Sequence, residues 1–258
     1  MIIAATDEAE IERAQSELAR LIAQSQRMTG FTGAGVSTES GVPDFRSPGS
    51  PWLKNKPIDF SLFVADPLAR EEAWRRKFAM DDLYAGARPS RAHLAFARFV
   101  LERRMGAILT QNIDGLHQSA GAPADKVIEL HGNGTYAKCL DCGLRYELAD
   151  VRAEFDRTGA APECECGGAI KSATISFGQA MPENEMRRAH EEASTCDLFL
   201  AAGSSLVVYP AAGLPVLAKR NGAFLVIVNR DETPLDSAAD LVLRGDIGTI
   251  LAPFASLQ

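Results

Sequence analysis

Cys139-Leu140-Asp141-Cys142 and Cys164-Glu165-Cys166 gather four of the five cysteines into two short pairs. Four thiolates so spaced make a closed tetrahedral zinc site with no open position for substrate, and hence a structural one. The second pair is C-x-C where C-x-x-C is usual, and the gap from Cys142 to Cys164 is slightly long. A redox pair or metal-free thiols are therefore the alternatives. Gly33-Ala34-Gly35 opens a run of small residues ending at Gly41. Glycine exposes bare backbone, so a strand followed by such a turn can present amides to a pyrophosphate. The spacing departs from G-x-G-x-x-G, and a simple tight turn is the competing reading. Gln111-Asn112-Ile113-Asp114-Gly115-Leu116-His117 places amides and an acid just past an apolar run. Open α/β sheets bind ligands there, although Asn112 and Asp114 also suit helix caps. His131, before Gly132, has the near-neutral pKa and the room that a general base needs. His117 competes for that role, whereas His93 sits in a helical pattern and reads as structural.

These groups need elements to hold them. Short apolar runs at 28–32, 105–110, 127–130, 198–202, 224–229 and 241–243 alternate with helical periodicity. Ile11, Ala14, Leu18, Leu21 and Ile22 mark the first helix, and Ser90 opens another. The alternation predicts an α/β fold built on a doubly wound parallel (Rossmann-like) sheet. Residues 1–133 and 173–258 would form that body, with a small zinc-ribbon module inserted at 134–172 and a helical insertion at 47–89. The helical insertion is either a mobile lid or an excursion that merely packs.

A net charge of −7 and a pI near 5.2 argue against nonspecific binding to nucleic acid or an anionic membrane, and suit a basic peptide partner. Met1 to Gln26 is acidic and helical, unlike a secretory signal, and no apolar run reaches membrane-spanning length. Clustered cysteines favour metal in a reducing compartment, so the expected location is cytoplasmic. Nothing in the sequence indicates an oligomeric state.

The stretch from Gly33 to Arg46 resembles the sirtuin signature G-A-G-x-S-x-x-S-G-[IV]-P-D-F-R at every fixed position. Thr110 to His117 resembles the family's T-Q-N-I-D-x-L-H, and Leu130-His131-Gly132 its L-H-G. Gly203 to Pro210 is similar to G-[TS]-S-L-x-V-x-P, and Ile175 to Gln179 to a V-x-F-G-E strand, with Gln179 replacing the glutamate. The resemblance implies an enzyme that uses NAD to remove acyl groups from protein lysines. Its products would be nicotinamide and O-acyl-ADP-ribose. Gly33, Ala34, Gly35, Ser37, Asp44 and Arg46 would hold NAD, with Phe45 shielding the reacting ribose. Asn112, Ile113 and Asp114 would face nicotinamide, Asn112 with a catalytic part, and Gln111 a ribose hydroxyl. Gly203, Ser204 and Ser205 would complete the NAD site, with Asn229, Asp231 and Ile247 about the adenosine end. Ile175, Phe177, Gly178 and Val207 would border the acyl-lysine peptide. The family makes His131 the base, and Cys139, Cys142, Cys164 and Cys166 hold one structural zinc. Alternatives are ADP-ribosyl transfer and an NAD-sensing module without turnover. No Tyr-x-x-Arg occurs in Ala73 to Met80, which implies uncharged acyl groups lined by Trp74, Phe78 and Ile113. The basic triplet Arg75-Arg76-Lys77 is expected at the surface.

Overall fold

The computed structural model describes residues 1–45 and 47–256. Arg46, expected to hold the NAD phosphates, lies outside them. The chain runs β1 (Ile2–Ala4), α1 (Glu8–Gln24), β2 (Met28–Thr32), a 3-10 helix (Ala34–Ser40), α2 (Phe60–Ala65), α3 (Pro67–Leu83) and α4 (Arg91–Leu101). It continues through β3 (Met105–Thr110), α5 (Leu116–Ser119), β4 (Val127–Glu129), β5 (Gly132–Cys139), β6 (Arg145–Glu147), α6 (Leu148–Thr158) and β7 (Ile170–Thr174). It closes with α7 (Glu183–Thr195), β8 (Leu198–Ala202), α8 (Gly213–Arg220), β9 (Phe224–Asn229), β10 (Leu241–Arg244) and α9 (Ile247–Leu251).

Seven strands form one parallel sheet in the order β1-β10-β9-β8-β2-β3-β4. Every residue of β2 and β8 is buried, because helices cover both faces and leave no solvated side. Leu18, Phe96, Leu200 and Leu251 fill one layer, beneath α1, α4 and α9. Phe31, Phe199, Leu214 and Ile227 fill the other, beneath α7 and α8. The chain progresses outward from β2 through β3 to β4 and, separately, from β8 through β9 to β10, beyond which the N-terminal β1 pairs at the edge. The order therefore reverses between β2 and β8, which is where open sheets of this kind bind ligands. The six expected strands are present; the sequence reading missed β1, which pairs with β10 at the sheet edge.

A second sheet, antiparallel in the order β6-β5-β7, holds the cysteine pairs at its far end. Here one expectation is corrected. The strand β7 ends at Thr174, so Ile175 to Gly178 do not continue as a strand. They are held instead by Ile175 N–H donating to His131 O (2.8 Å) and Phe60 N–H donating to Phe177 O (2.9 Å). No helix among the described residues is long and apolar enough to cross a membrane.

Candidate active site

Two glycine turns meet where the sheet order reverses. Gly35 N–H donates to Gly203 O at 2.8 Å, joining the turn after β2 to the turn after β8. Gly203 has φ +65°, and a Cβ there would stand 2.5 Å from Val36 N, so only glycine fits this approach. The helix that follows is a 3-10 helix, and it carries Ser37 inward.

Ser37 is the hub of a buried polar network. Its hydroxyl donates to Asp114 Oδ2 at 2.7 Å and accepts from Asn112 Nδ2 at 3.1 Å. Asn112 Nδ2 also donates to Gly33 O at 3.1 Å, which fixes the amide orientation. Among the described residues Asn112 Oδ1 then has no donor, and it is left for the N–H groups of a ligand. Asp114 Oδ1 accepts from Leu116 N–H at 2.9 Å, so this acid caps the next turn and braces Ser37 at once.

Two histidines lie underneath. His93 Nδ1 accepts from Ser90 N–H at 3.1 Å, which puts the ring proton on Nε2, 3.3 Å from Ser37 Oγ. Thr32 gives its hydroxyl proton to Thr110 Oγ1, so His117 Nε2 donates to Thr32 Oγ1 at 2.8 Å. His117 Nδ1 is buried without a partner among the described residues. The two rings stand edge to face, 4.8 Å apart. Burial pushes His93 down to about 4 and holds His117 well below the ordinary histidine range. Both are neutral supports at pH 7.

His131 differs. It lines the open cavity, and its Nδ1 lies 3.1 Å from Gln111 O. A carbonyl only accepts, so Nδ1 carries the proton and Nε2 keeps a free lone pair. Burial lowers its pKa, partly opposed by that hydrogen bond, so the ring is a neutral base at pH 7.

The cavity measures about 820 Å³, within the roughly 300–1,000 Å³ of ligand sites. Gly33, Ala34, Gly35, Ser37, Asp44, Phe45, Gln111, Asn112, Ile113, Asp114 and His131 all line it. So do Ile175, Phe177, Gly178, Gly203, Ser204, Ser205, Asn229, Asp231 and Ile247. Val207 does not: it is exposed outside the cavity, and Val208 lines the wall instead. Phe78 is also displaced from its expected place. It packs on Trp74 and Phe155 beneath the small sheet, while Trp74 and Ile113 do line the cavity. Of the basic triplet only Arg75 is turned to solvent; Arg76 and Lys77 reach the cavity wall, paired with Glu72 and Asp81.

Sequence reading missed several lining residues. Trp52 stacks on Phe45 with centroids 4.4 Å apart, and Phe63, Tyr84 and Lys171 line the cavity. An aromatic residue in an irregular loop was the available signal for Trp52; nothing local marked Lys171.

Bare backbone at the strand-order reversal, a free amide oxygen on Asn112 and a cavity of this size together fit a dinucleotide. The four clustered thiols fit zinc. Their sulfurs all lie within 4.8 Å of one another, with Cys139–Cys166 at 3.5 Å and Cys142–Cys164 at 3.6 Å. A tetrahedron with Zn–S bonds of about 2.3 Å has edges of roughly 3.8 Å. Tyr146 O–H donates to Cys164 Sγ at 3.0 Å and pulls that thiol down to about 6.

A model of the Sir2 family matches residues 33–210. The chain belongs to the Sir2 family. Among curated relatives of this sirtuin, a Rhodopseudomonas palustris protein named NAD-dependent protein deacetylase is 57% identical, covering 92% of this chain and 94% of that protein. A Bradyrhizobium diazoefficiens protein named NAD-dependent protein deacetylase 1 is 55% identical, covering 92% and 93%. Among solved structures, a Sir2 with p53 peptide and NAD+ superposes with a TM-score of 0.80 at 38% identity, covering 93% of this chain and 95% of that one. Sir2Af2 bound to a myristoylated histone peptide gives 0.76 at 35% identity, covering 95% of each.

Proposed function

We propose that this sirtuin removes acyl groups, acetyl foremost, from protein lysines at the expense of NAD. The observation that carries the reading is the meeting, in one cavity, of the neutral base His131, the Asn112–Asp114 pair and the two glycine turns. Long, well-covered similarity to proteins named deacetylases supports it.

In this reading Ala34 N–H and Ser204 hold the pyrophosphate, joined by Arg46, on a turn that Gly33 and Gly35 shape through their bonds to Ala202 O and Gly203 O, with Asn229, Asp231 and Ile247 about the adenosine. NAD supplies a ribosyl carbon with nicotinamide as its leaving group. Asn112 Oδ1 accepts from the nicotinamide amide and fixes its plane, while Phe45 and Trp52 keep water from the ribose. His131 Nε2 takes a proton from a ribose hydroxyl, and Gln111 O holds the ring by Nδ1–H throughout. Such a base contributes ~100- to 10,000-fold. Ile175, Phe177, Gly178 and Val208 border the peptide.

The zinc site closes the small sheet and takes no part in the chemistry. The same reading divides the chain into a body at 1–133 and 173–258, a helical insertion at 47–89 and a zinc module at 134–172. The thiols, all free of disulfides, favour a cytoplasmic home.

The test is to incubate the protein with NAD and an acetyl-lysine peptide and weigh the products. Loss of acetyl from the peptide with equimolar nicotinamide and O-acetyl-ADP-ribose is expected. Peptide gaining the mass of ADP-ribose, or NAD left intact, would overturn the reading.

A further inference from the structure

Lys171 is 5% exposed, yet no carboxylate among the described residues pairs with it. Its ammonium donates to Thr174 O at 2.6 Å and, weakly, to Ser172 O at 3.3 Å. An ammonium has three donors, so the third has no protein acceptor among the described residues. Buried charges are ordinarily paired, because desolvation is otherwise uncompensated. Lys77, the other lysine among the described residues of this wall, obeys that rule with Asp81. Desolvation alone brings Lys171 down to about 8, which leaves it mostly charged at pH 7.

Its surroundings identify what the free donor meets. Lys171 lines the main cavity, with Nζ 6.0 Å from the Phe63 ring centroid. The preceding residue, Ile170, offers its carbonyl to Trp74 Nε1 at 3.2 Å, and Trp74 lines the same cavity. Thr174, whose carbonyl holds the amine, is followed by Ile175, which bonds to His131 O. Along β7 the lysine thus lies beyond the base, on the side of Trp74 and Phe63. The neighbouring Ser172 hydroxyl, also in the cavity lining, is buried without a partner among the described residues.

We propose that Lys171 is a specificity-determining residue of the acyl pocket. Its ammonium donates to an oxygen that the acyl chain carries beyond its carbonyl. Among acyl chains longer than acetyl, it favours short ones bearing a hydroxyl or a carboxylate over their unsubstituted counterparts. This rests on the deacylase reading above.

The test compares kcat/KM for one peptide acylated with butyryl, 3-hydroxybutyryl or succinyl, in wild type, Lys171→Met and Lys171→Gln. In Lys171→Met the ratio of each oxygenated substrate to butyryl falls ~10- to 100-fold, the weight of a hydrogen bond to a charged group. Lys171→Gln keeps a donor without charge, so it retains the hydroxyl ratio within a few-fold and loses the succinyl ratio. If Lys171→Met does not fold, the succinyl ratio of Lys171→Gln decides alone. Equal loss on all three substrates would reduce Lys171 to a wall residue and overturn the proposal. So would a wild-type enzyme that barely turns over either oxygenated peptide while cleaving butyryl. Failure of wild type on butyryl and acetyl alike would instead bring down the deacylase reading, and the proposal with it.

Discussion

The seven-stranded sheet is sandwiched between two apolar layers, with Phe31, Ile108, Leu109, Phe199, Leu200 and Val226 at 0% exposure. In the three-stranded sheet the buried cluster has eight members, and two of them, Cys139 and Cys164, are thiols. Its edge strand β6 buries nothing completely. One sheet is stabilised by apolar burial, which is large and nondirectional; the other gathers four thiols whose bonds to a zinc ion would supply what its small core cannot. The candidate base sits at the joint, since His131 follows β4 of the first sheet and Gly132 opens β5 of the second.

Removing zinc should therefore have the largest effect, and an uneven one. Chelation, or Cys139→Ser or Cys166→Ser, should loosen residues 132–174 and abolish turnover, while β2, β8 and β9 keep their amide protection in hydrogen exchange. Structural zinc contributes on the order of 10–16 kcal/mol of folding-coupled binding. Less than one zinc per chain in folded, active protein would mean that the small sheet stands without it.

His131→Ala sharpens the comparison from the other side. It should cost ~100- to 10,000-fold in deacylation, with NAD binding and zinc content retained and Tm nearly unchanged. Deacylation above about a tenth of the wild-type rate would remove His131 from the role of base.

The two sheets also differed in how far the sequence disclosed them. Central strands of a parallel sheet are buried on both faces, so Leu198–Ala202 and Phe224–Asn229 stand out as apolar runs. The edge strand β1 has three residues, with Ile2 61% exposed, and offers no such run. Gly132–Cys139 reads as no strand at all, because its glycines and lysine are ordered by the partner strands. Site residues on the glycine turn and after β3 carried motifs. Lys171 and Trp52 did not, since their place in the cavity is set by packing across the chain. Val207 and Phe78 lie outside the cavity, Val207 exposed beside Val208 and Phe78 on the far side of its helix, placements that only tertiary contact sets.

The histidines should separate by pH. The buried pair, His93 and His117, have folded pKa values below the ordinary ~6.5. Between that value and about 4 the unfolded chain binds more protons, so stability falls as pH falls through this window. A tenfold weaker hold on the proton corresponds to roughly 1.4 kcal/mol. Tm should drop steadily between pH 7 and 5, and His93→Gln should flatten the slope. His131, also lowered but open to the cavity, should set an acid limb of kcat/KM below 6.5. A Tm that does not change over this range would mean that the pair is protonated in the folded protein.

The smallest effect is expected at Lys77, and it isolates what an unpaired charge does. Lys77 and Lys171 line one cavity, but Lys77 is matched by Asp81 one helical turn along, and Arg76 by Glu72 and the Lys56 carbonyl. A cation already bonded to a carboxylate has little field left for a substrate, and exchanging one partner for another gains little. Pairs of this i,i+4 kind contribute ~0.3–0.5 kcal/mol when exposed, and at 14% side-chain exposure Lys77 lies somewhat above that. Lys77→Met should thus lower Tm slightly and move the succinyl-to-butyryl ratio by less than about 3-fold, a shift of under ~0.7 kcal/mol. The same peptides serve both lysines. A ratio that collapses in Lys77→Met instead would mean that Asp81 releases its partner on binding, and that position 77 on α3 reads the acyl group.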